Sequence, residues 1–176
     1  DNVSIPNARL DNGWAMNARA KKQIPVSELS YEYLDVALDV EHPVAWTVNE
    51  YSRATQPHYD IHIGLEIGIV LEGRSRRWYR DHSFLADPGQ VWLAGLWEPH
   101  GLEILQPGTR HLVFGVLPEF LGISDPFFGD DWMRLFRLPP PLRPRAENIH
   151  ERKKVLEIAH RLIAAMNQSG RFSLAK

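Results

Sequence analysis

From residue 58 to residue 72 the chain alternates between two kinds of side chain. Ile61, Ile63, Leu65, Ile67, Ile69 and Leu71 occupy the odd positions. His58, Asp60, His62 and Glu66 fall on even positions, with Gly64 and Gly68 between and beyond them. Successive side chains of a strand point to opposite faces. The pattern therefore predicts one strand whose even face carries a row of groups able to bind a metal or a proton, with glycines leaving space beside them. Gly73 ends it. Residues 74–79 predict the next strand, with Arg80, Asp81 and His82 at its turn. Further short strands are expected at 84–85, 91–93, 102–105 and 111–116, and turns at Pro88-Gly89 and Gln106-Pro107-Gly108. Upstream, Leu34, Val36, Leu38 and Val40 alternate with Asp35, Ala37 and Asp39 and predict a half-buried strand, which His42-Pro43 breaks. Residues 45–53 predict another, with Trp46 and Val48 on one face. Many short strands joined by Gly/Pro turns make the chain mainly β, a sandwich or a barrel. Residues 1–25 lack periodicity and read as an irregular arm.

The pattern changes after Leu117. A short helix is expected near 131–136, packed on the barrel. Leu138-Pro139-Pro140-Pro141-Leu142 reads as a stiff extended connector. Asn148 and Glu151 then form a capping-box variant that opens a longer helix. Val155, Ile158, Ala159, Leu162, Ile163 and Met166 lie on one apolar stripe at helical spacing, and Gly170 is a natural stop.

Composition narrows the function classes. The 176 residues suffice for one domain with a substantial core. A net charge of -2 gives no bulk attraction to phosphates, so this chain is not itself expected to bind nucleic acid. No run approaches the roughly 20 apolar residues of a membrane span. The absence of cysteine removes disulfides and thiolate ligands and agrees with a cytoplasmic home.

The ordered set Asp60-x-His62-x3-Glu66-x6-Gly73, followed by Pro88-Gly89 and His100, resembles the two-motif pattern of the cupins. More narrowly, Glu66, Leu71-x-Gly73, Pro88-Gly89 and Glu98-Pro99-His100 are similar to the N-terminal regulatory domain of AraC-type bacterial transcription regulators. The resemblance covers residues 58–100 well and the remainder in outline. It departs at Asp60, where metal-binding cupins usually carry histidine. It implies a cupin-like double-stranded β-helix, a jelly-roll barrel with C-terminal helices. The division it implies is an N-terminal arm at 1–30, a barrel at 31–118 and a helical segment at 119–176. Within that last segment, 149–169 would be a dimerisation helix. In that family the arm can cover the ligand. The function implied is sensing of a small-molecule effector by population shift, with homodimerisation through the long helix. DNA would be read only by a domain outside this chain, and no membrane is involved. The alternative is a small metal-dependent cupin enzyme of the dioxygenase or isomerase type.

His62, Glu66 and His100 are a candidate two-histidine, one-carboxylate set, with Asp60 or His58 as a further ligand. Those donors suit Zn, Fe, Ni or Mn. The same groups could instead hydrogen-bond an organic ligand in a metal-free pocket, or form an exposed polar face. Convergence of His62 and Glu66 requires a curved or bulged strand, with Gly64 as the bend. Trp78, Trp92 and Trp97 are candidate ligand-binding walls beside that set, or ordinary core. Arg74, Arg76 and Arg77 read as a solvated strand surface, with the sharper option that one enters the barrel to pair with a ligand's carboxylate.

Overall fold

The structure is a computed structural model and describes residues 23–26, 29–121 and 132–169. Its strands pair in nested order. β3 (Val44–Tyr51) pairs with β10 (Thr109–Val116), and β4 (His58–Ile61) with β9 (His100–Ile104). Inside these, β5 (Leu65–Glu72) pairs with β8 (Val91–Ala94), and β6 (Ser75–Tyr79) with β7 (His82–Ala86). All four pairs are antiparallel, so the chain is a long hairpin wound over on itself, which is a jelly roll. It forms two sheets, β3-β10-β5-β8 and β4-β9-β6-β7. A hairpin of β1 (Gln23–Val26) and β2 (Leu29–Tyr33) extends the second sheet, with β2 parallel to β4. Residues 23–26 and 29–30, which fall within the arm expected at 1–30, are thus part of that sheet. The rest of the expected arm lies outside the described residues.

The alternation of β5 has a physical cause on each side. Its odd residues face outward and are covered by helices. Ile69 and Leu71, with Leu112 of β10, pack against buried Ala159 and against Val155, Leu156, Ile163 and Met166 of α3 (Ile149–Ser169). Leu65 and Leu93 pack against Phe136, with Met133 and Leu135, of α2 (Met133–Arg137). Its even residues face the barrel interior, where Val70 joins Ala86, Trp92 and Val113. α1 (Pro118–Leu121) follows β10 directly.

Three sequence expectations change. Residues 34–40 form no strand, although Val36 and Leu38 are buried. Asp35 Oδ1 accepts the Ala37 N–H and Asp39 Oδ1 accepts the N–H groups of Glu41 and His42, so short carboxylates bend the chain into turns instead of a ladder. Within the expected extended connector, Pro140–Leu142 is one 3-10 turn closed by the Leu142 N–H on Pro139 O at 2.8 Å. The helical stripe divides: Val155, Ala159, Ile163 and Met166 face the barrel, while Ile158 and Leu162 are exposed. The capping box forms as expected. Asn148 Oδ1 accepts the N–H groups of His150 and Glu151, and Glu151 Oε2 accepts those of Glu147 and Asn148. Gly170 lies outside the described residues. No helix among the described residues is long and apolar enough to cross a membrane.

Candidate metal and ligand site

The expected strand from 58 to 72 is two strands in different sheets. β4 ends at Ile61, β5 begins at Leu65, and residues 62–64 turn the corner between them. A Cβ on Gly64 would stand 2.7 Å from Leu38 Cδ1, so the corner is closely packed there. In a flat strand His62 and Glu66 would sit about 13 Å apart. The corner brings His62 Nε2 to 3.5 Å from Glu66 Oε2. His100 arrives on β9 as the cross-strand partner of Asp60. Its Nε2 lies 3.0 Å from Asp60 Oδ1 and 3.5 Å from Glu66 Oε2. Ligand atoms of Asp60, His62 and His100 all fall within 4.8 Å of one another. The barrel therefore brings two imidazoles and the Asp60 carboxylate together, with Glu66 Oε2 beside both histidines.

The imidazoles are oriented by the backbone. His62 Nδ1 lies 2.8 Å from Gly64 O, and His100 Nδ1 lies 2.8 Å from Glu98 O. A carbonyl only accepts, so each Nδ1 carries a proton and donates it. Each Nε2 is thereby turned towards the cluster, as an outer-shell partner orients a metal-binding histidine. His62 Nε2, His100 Nε2 and Asp60 Oδ1 are buried and have no hydrogen-bond partner. His100 Nε2 and Asp60 Oδ1 stand close enough, at 3.0 Å, to form an ion pair when the ring is protonated and to share an ion when it is not. Ligand atoms about 2.1 Å from one ion stand about 3.0 Å apart at right angles and about 3.4 Å apart in a tetrahedron. The 3.0 Å His100–Asp60 separation and the 3.5 Å separations to Glu66 match those edges, and the three ligand atoms of Asp60, His62 and His100 lie within 4.8 Å of one another. The residues fit a divalent metal.

Glu66 is fixed through its other oxygen. Oε1 accepts from Arg77 Nη2 at 2.9 Å and from Trp92 Nε1 at 2.5 Å. Arg77 Cζ lies 4.5 Å from the Trp92 ring centroid. Trp92 reaches Glu66 because its ring lies over Gly68, where a Cβ would come within 1.9 Å of ring carbons. The glycines expected to leave empty space instead admit neighbours, Leu38 at Gly64 and Trp92 at Gly68.

Burial alone would neutralise these charges, yet the cluster keeps them. For Glu66 burial pushes the pKa up, but His100 and Arg77 hold it well below the usual carboxylate range. For His100 burial pushes it down, but Asp60 and Glu66 hold it up at about 10. Without metal the cluster thus balances Asp60 and Glu66 against Arg77 and protonated His100. The His100 contribution to stability is full below its unfolded value of 6.5 and is lost as pH rises through about 10. In chelator, urea-unfolding free energy is therefore expected to fall between pH 7 and pH 10, and His100→Asn to flatten that slope. An equal slope in both proteins would assign it elsewhere.

The remaining expected residues separate. His58 is 57% exposed and lies 3.5 Å from Glu32 Oε2, outside the cluster. Trp92 lines the barrel. Trp78 does not: on β6 the inward face is Ser75, Arg77 and Tyr79, and Trp78 packs outside, under Arg76, with its Nε1 on Glu103. Trp97 is half exposed, stacks on Tyr33 at 5.8 Å, and donates its backbone N–H to His62 O. The solvated-surface expectation holds for Arg74 and Arg76, which pair with Asp87 and Glu103. It fails for Arg77, buried against Glu66.

Sequence reasoning also missed Arg143. It is buried, and Nη1 and Nη2 grip Glu98 at 2.6 and 2.7 Å. It donates further to the carbonyls of Leu93, Phe136 and Leu138 at 2.7, 3.1 and 2.9 Å. Glu98 is the residue whose carbonyl holds His100. One guanidinium thus ties the loop before His100 to α2 and the Pro-rich connector. No local sequence feature distinguishes Arg143 from its neighbour Arg145.

No protein-family model and no curated protein matches the sequence. Solved structures similar to part of it include a Rhizobium leguminosarum bv. viciae protein of unknown function. The two are 17% identical over 48% of this chain and 78% of the other, with a TM-score of 0.40. An apo ToxT variant from Vibrio cholerae is 11% identical over 51% of this chain and 35% of that one, with a TM-score of 0.42. A Bacillus subtilis oxalate decarboxylase variant is 20% identical over 48% and 22%, with a TM-score of 0.34.

Proposed function

We propose that this jelly roll is an effector-sensing regulatory domain of the AraC type whose site is built on a divalent metal held by Asp60, His62 and His100, with Glu66 as a further donor. A bound ion would supply open positions for an oxygen or nitrogen donor of the effector. The chain's own residues orient the imidazoles, exclude water behind Trp92 and hold Glu66 ionised. The observation that carries sensing over catalysis is the Arg143 clamp. It joins the loop that carries His100 to the connector leading into α3, so a change at the site has a physical route to the C-terminal helices. An effector shifts that equilibrium only by its difference in affinity for the two states.

Hydrogen exchange with and without Zn2+ tests this. Zn2+ is expected to slow exchange in residues 95–100 and also in 138–152. In Arg143→Lys only the first effect should remain, with Zn2+ affinity reduced by about tenfold to a hundredfold. Protection confined to the barrel in the parent protein would contradict sensing and favour the second reading, a small metal-dependent enzyme on the same donors. Self-association belongs to the same proposal, through exposed Ile158 and Leu162. Leu162→Asp should convert a sedimenting dimer to monomer, whereas a monomeric parent would assign that helix face to solvent.

A further inference from the structure

We infer that Trp97 is a positioning residue of the metal site, which sets His62 through its own backbone N–H and is itself held by a stack on Tyr33. The inference rests on the metal reading above only for its effect on affinity. His62 lies at the corner between β4 and β5, beyond the ladder of either strand. Its carbonyl instead accepts the Trp97 N–H at 3.0 Å. Glu98, the next residue, supplies the carbonyl that receives His100 Nδ1 at 2.8 Å. Both imidazoles therefore hang on two successive residues of one turn, His62 by its main chain and His100 by its ring. The turn closes through the Glu98 N–H on Gly95 O at 3.2 Å.

That turn holds Trp97 at φ 55°, in the left-handed region that an L side chain disfavours and glycine adopts freely. Among the described residues one other non-glycine residue shares it, Ala37 at φ 48°. Ala37 has local support, since Asp35 Oδ1 accepts its N–H at 3.1 Å. Trp97 is held from outside its turn. Its N–H goes to His62, and its indole stacks on Tyr33 with ring centroids 5.8 Å apart and planes inclined by 22°. The indole is 50% exposed, so burial does not explain a large side chain where glycine would fit. The stack does. Tyr33 ends β2, and the Leu34 N–H beside it donates to Ile61 O at 3.1 Å, one residue from His62. Tyr33, Trp97 and His62 thus close a ring of contacts in which the aromatic pair keeps a strained turn presenting its N–H. Without the stack the strain is uncompensated, and the turn relaxes away from His62.

The test combines Zn2+ titration with 15N NMR of the imidazole rings in chelator. Trp97→Ala keeps the strain and loses the stack, and should weaken Zn2+ binding about tenfold, as loss of an outer-shell partner does. Trp97→Gly loses stack and strain together and Trp97→Phe keeps a stacking ring, so both should stay within about threefold of the parent. Tyr33→Ala should match Trp97→Ala in the parent and add nothing in the Trp97→Gly background, and it carries the test if Trp97→Ala does not fold. In chelator the His62 ring signals should move in Trp97→Ala and return in Trp97→Gly. If the parent binds no Zn2+ but these signals follow that order, the metal reading fails and the positioning stands. Weaker binding in Trp97→Gly than in Trp97→Ala, or His62 signals unmoved in Trp97→Ala whatever its Tm, would overturn the inference.

Discussion

Replacing His62 and His100 together by alanine is expected to lower affinity for Zn2+ at least about a thousandfold, equivalent to about 4 kcal/mol. Both Nε2 atoms are buried, unpartnered and held by backbone carbonyls at their other nitrogen. No other residue pair near the cluster offers two oriented imidazoles, since His58 stands outside and His111 is turned to a different part of the interior. Competition titration against a chromogenic chelator reads the affinity directly. Binding unchanged in the double variant would place the metal elsewhere on the protein.

The largest effect on stability is expected at Arg77. Arg77→Met would leave the Glu66 carboxylate buried with one of its two Oε1 donors gone. Breaking one side of a buried ion pair costs about 3–5 kcal/mol. For a chain of this size that corresponds to a fall in Tm of about 6–20 °C. Adding Glu66→Gln should recover most of the loss, because the uncompensated charge disappears with it. Denaturation of the two single variants and the double variant in chelator gives the coupling. A single variant within 1 kcal/mol of the parent, with no recovery in the double, would show that the pair does not settle the interior.

The winding of the barrel was legible because its causes are local. Gly73, Pro88-Gly89 and Gln106-Pro107-Gly108 mark real turns, and the period-two rows of β5 and β10 mark real faces. The convergence of His62, Glu66 and His100 followed from the resemblance and from the need for a bend at Gly64. What remained hidden depends on contacts between distant segments. Alternation in β6 divides its residues between two faces without saying which is inward, so Trp78 read as a wall and Arg77 as surface. Leu34, Val36, Leu38 and Val40 alternate as a strand would, but Asp35 and Asp39 hydrogen-bond their own backbone, and the ladder never forms. Arg143 is held by Glu98, a residue 45 positions away, and by carbonyls of three segments. Nothing in its neighbourhood announces that.

The proposed sharing of one metal ion by Asp60, His62 and His100 can be read at the metal. X-ray absorption fine structure of the Zn2+-loaded parent protein, beside His62→Ala, reads the ligands themselves. Oxygen and nitrogen donors are expected at about 2.0–2.2 Å, with the outer-shell scattering of two imidazoles in the parent and of one in the variant. A spectrum without imidazole scattering, or one identical in the two proteins, would contradict it.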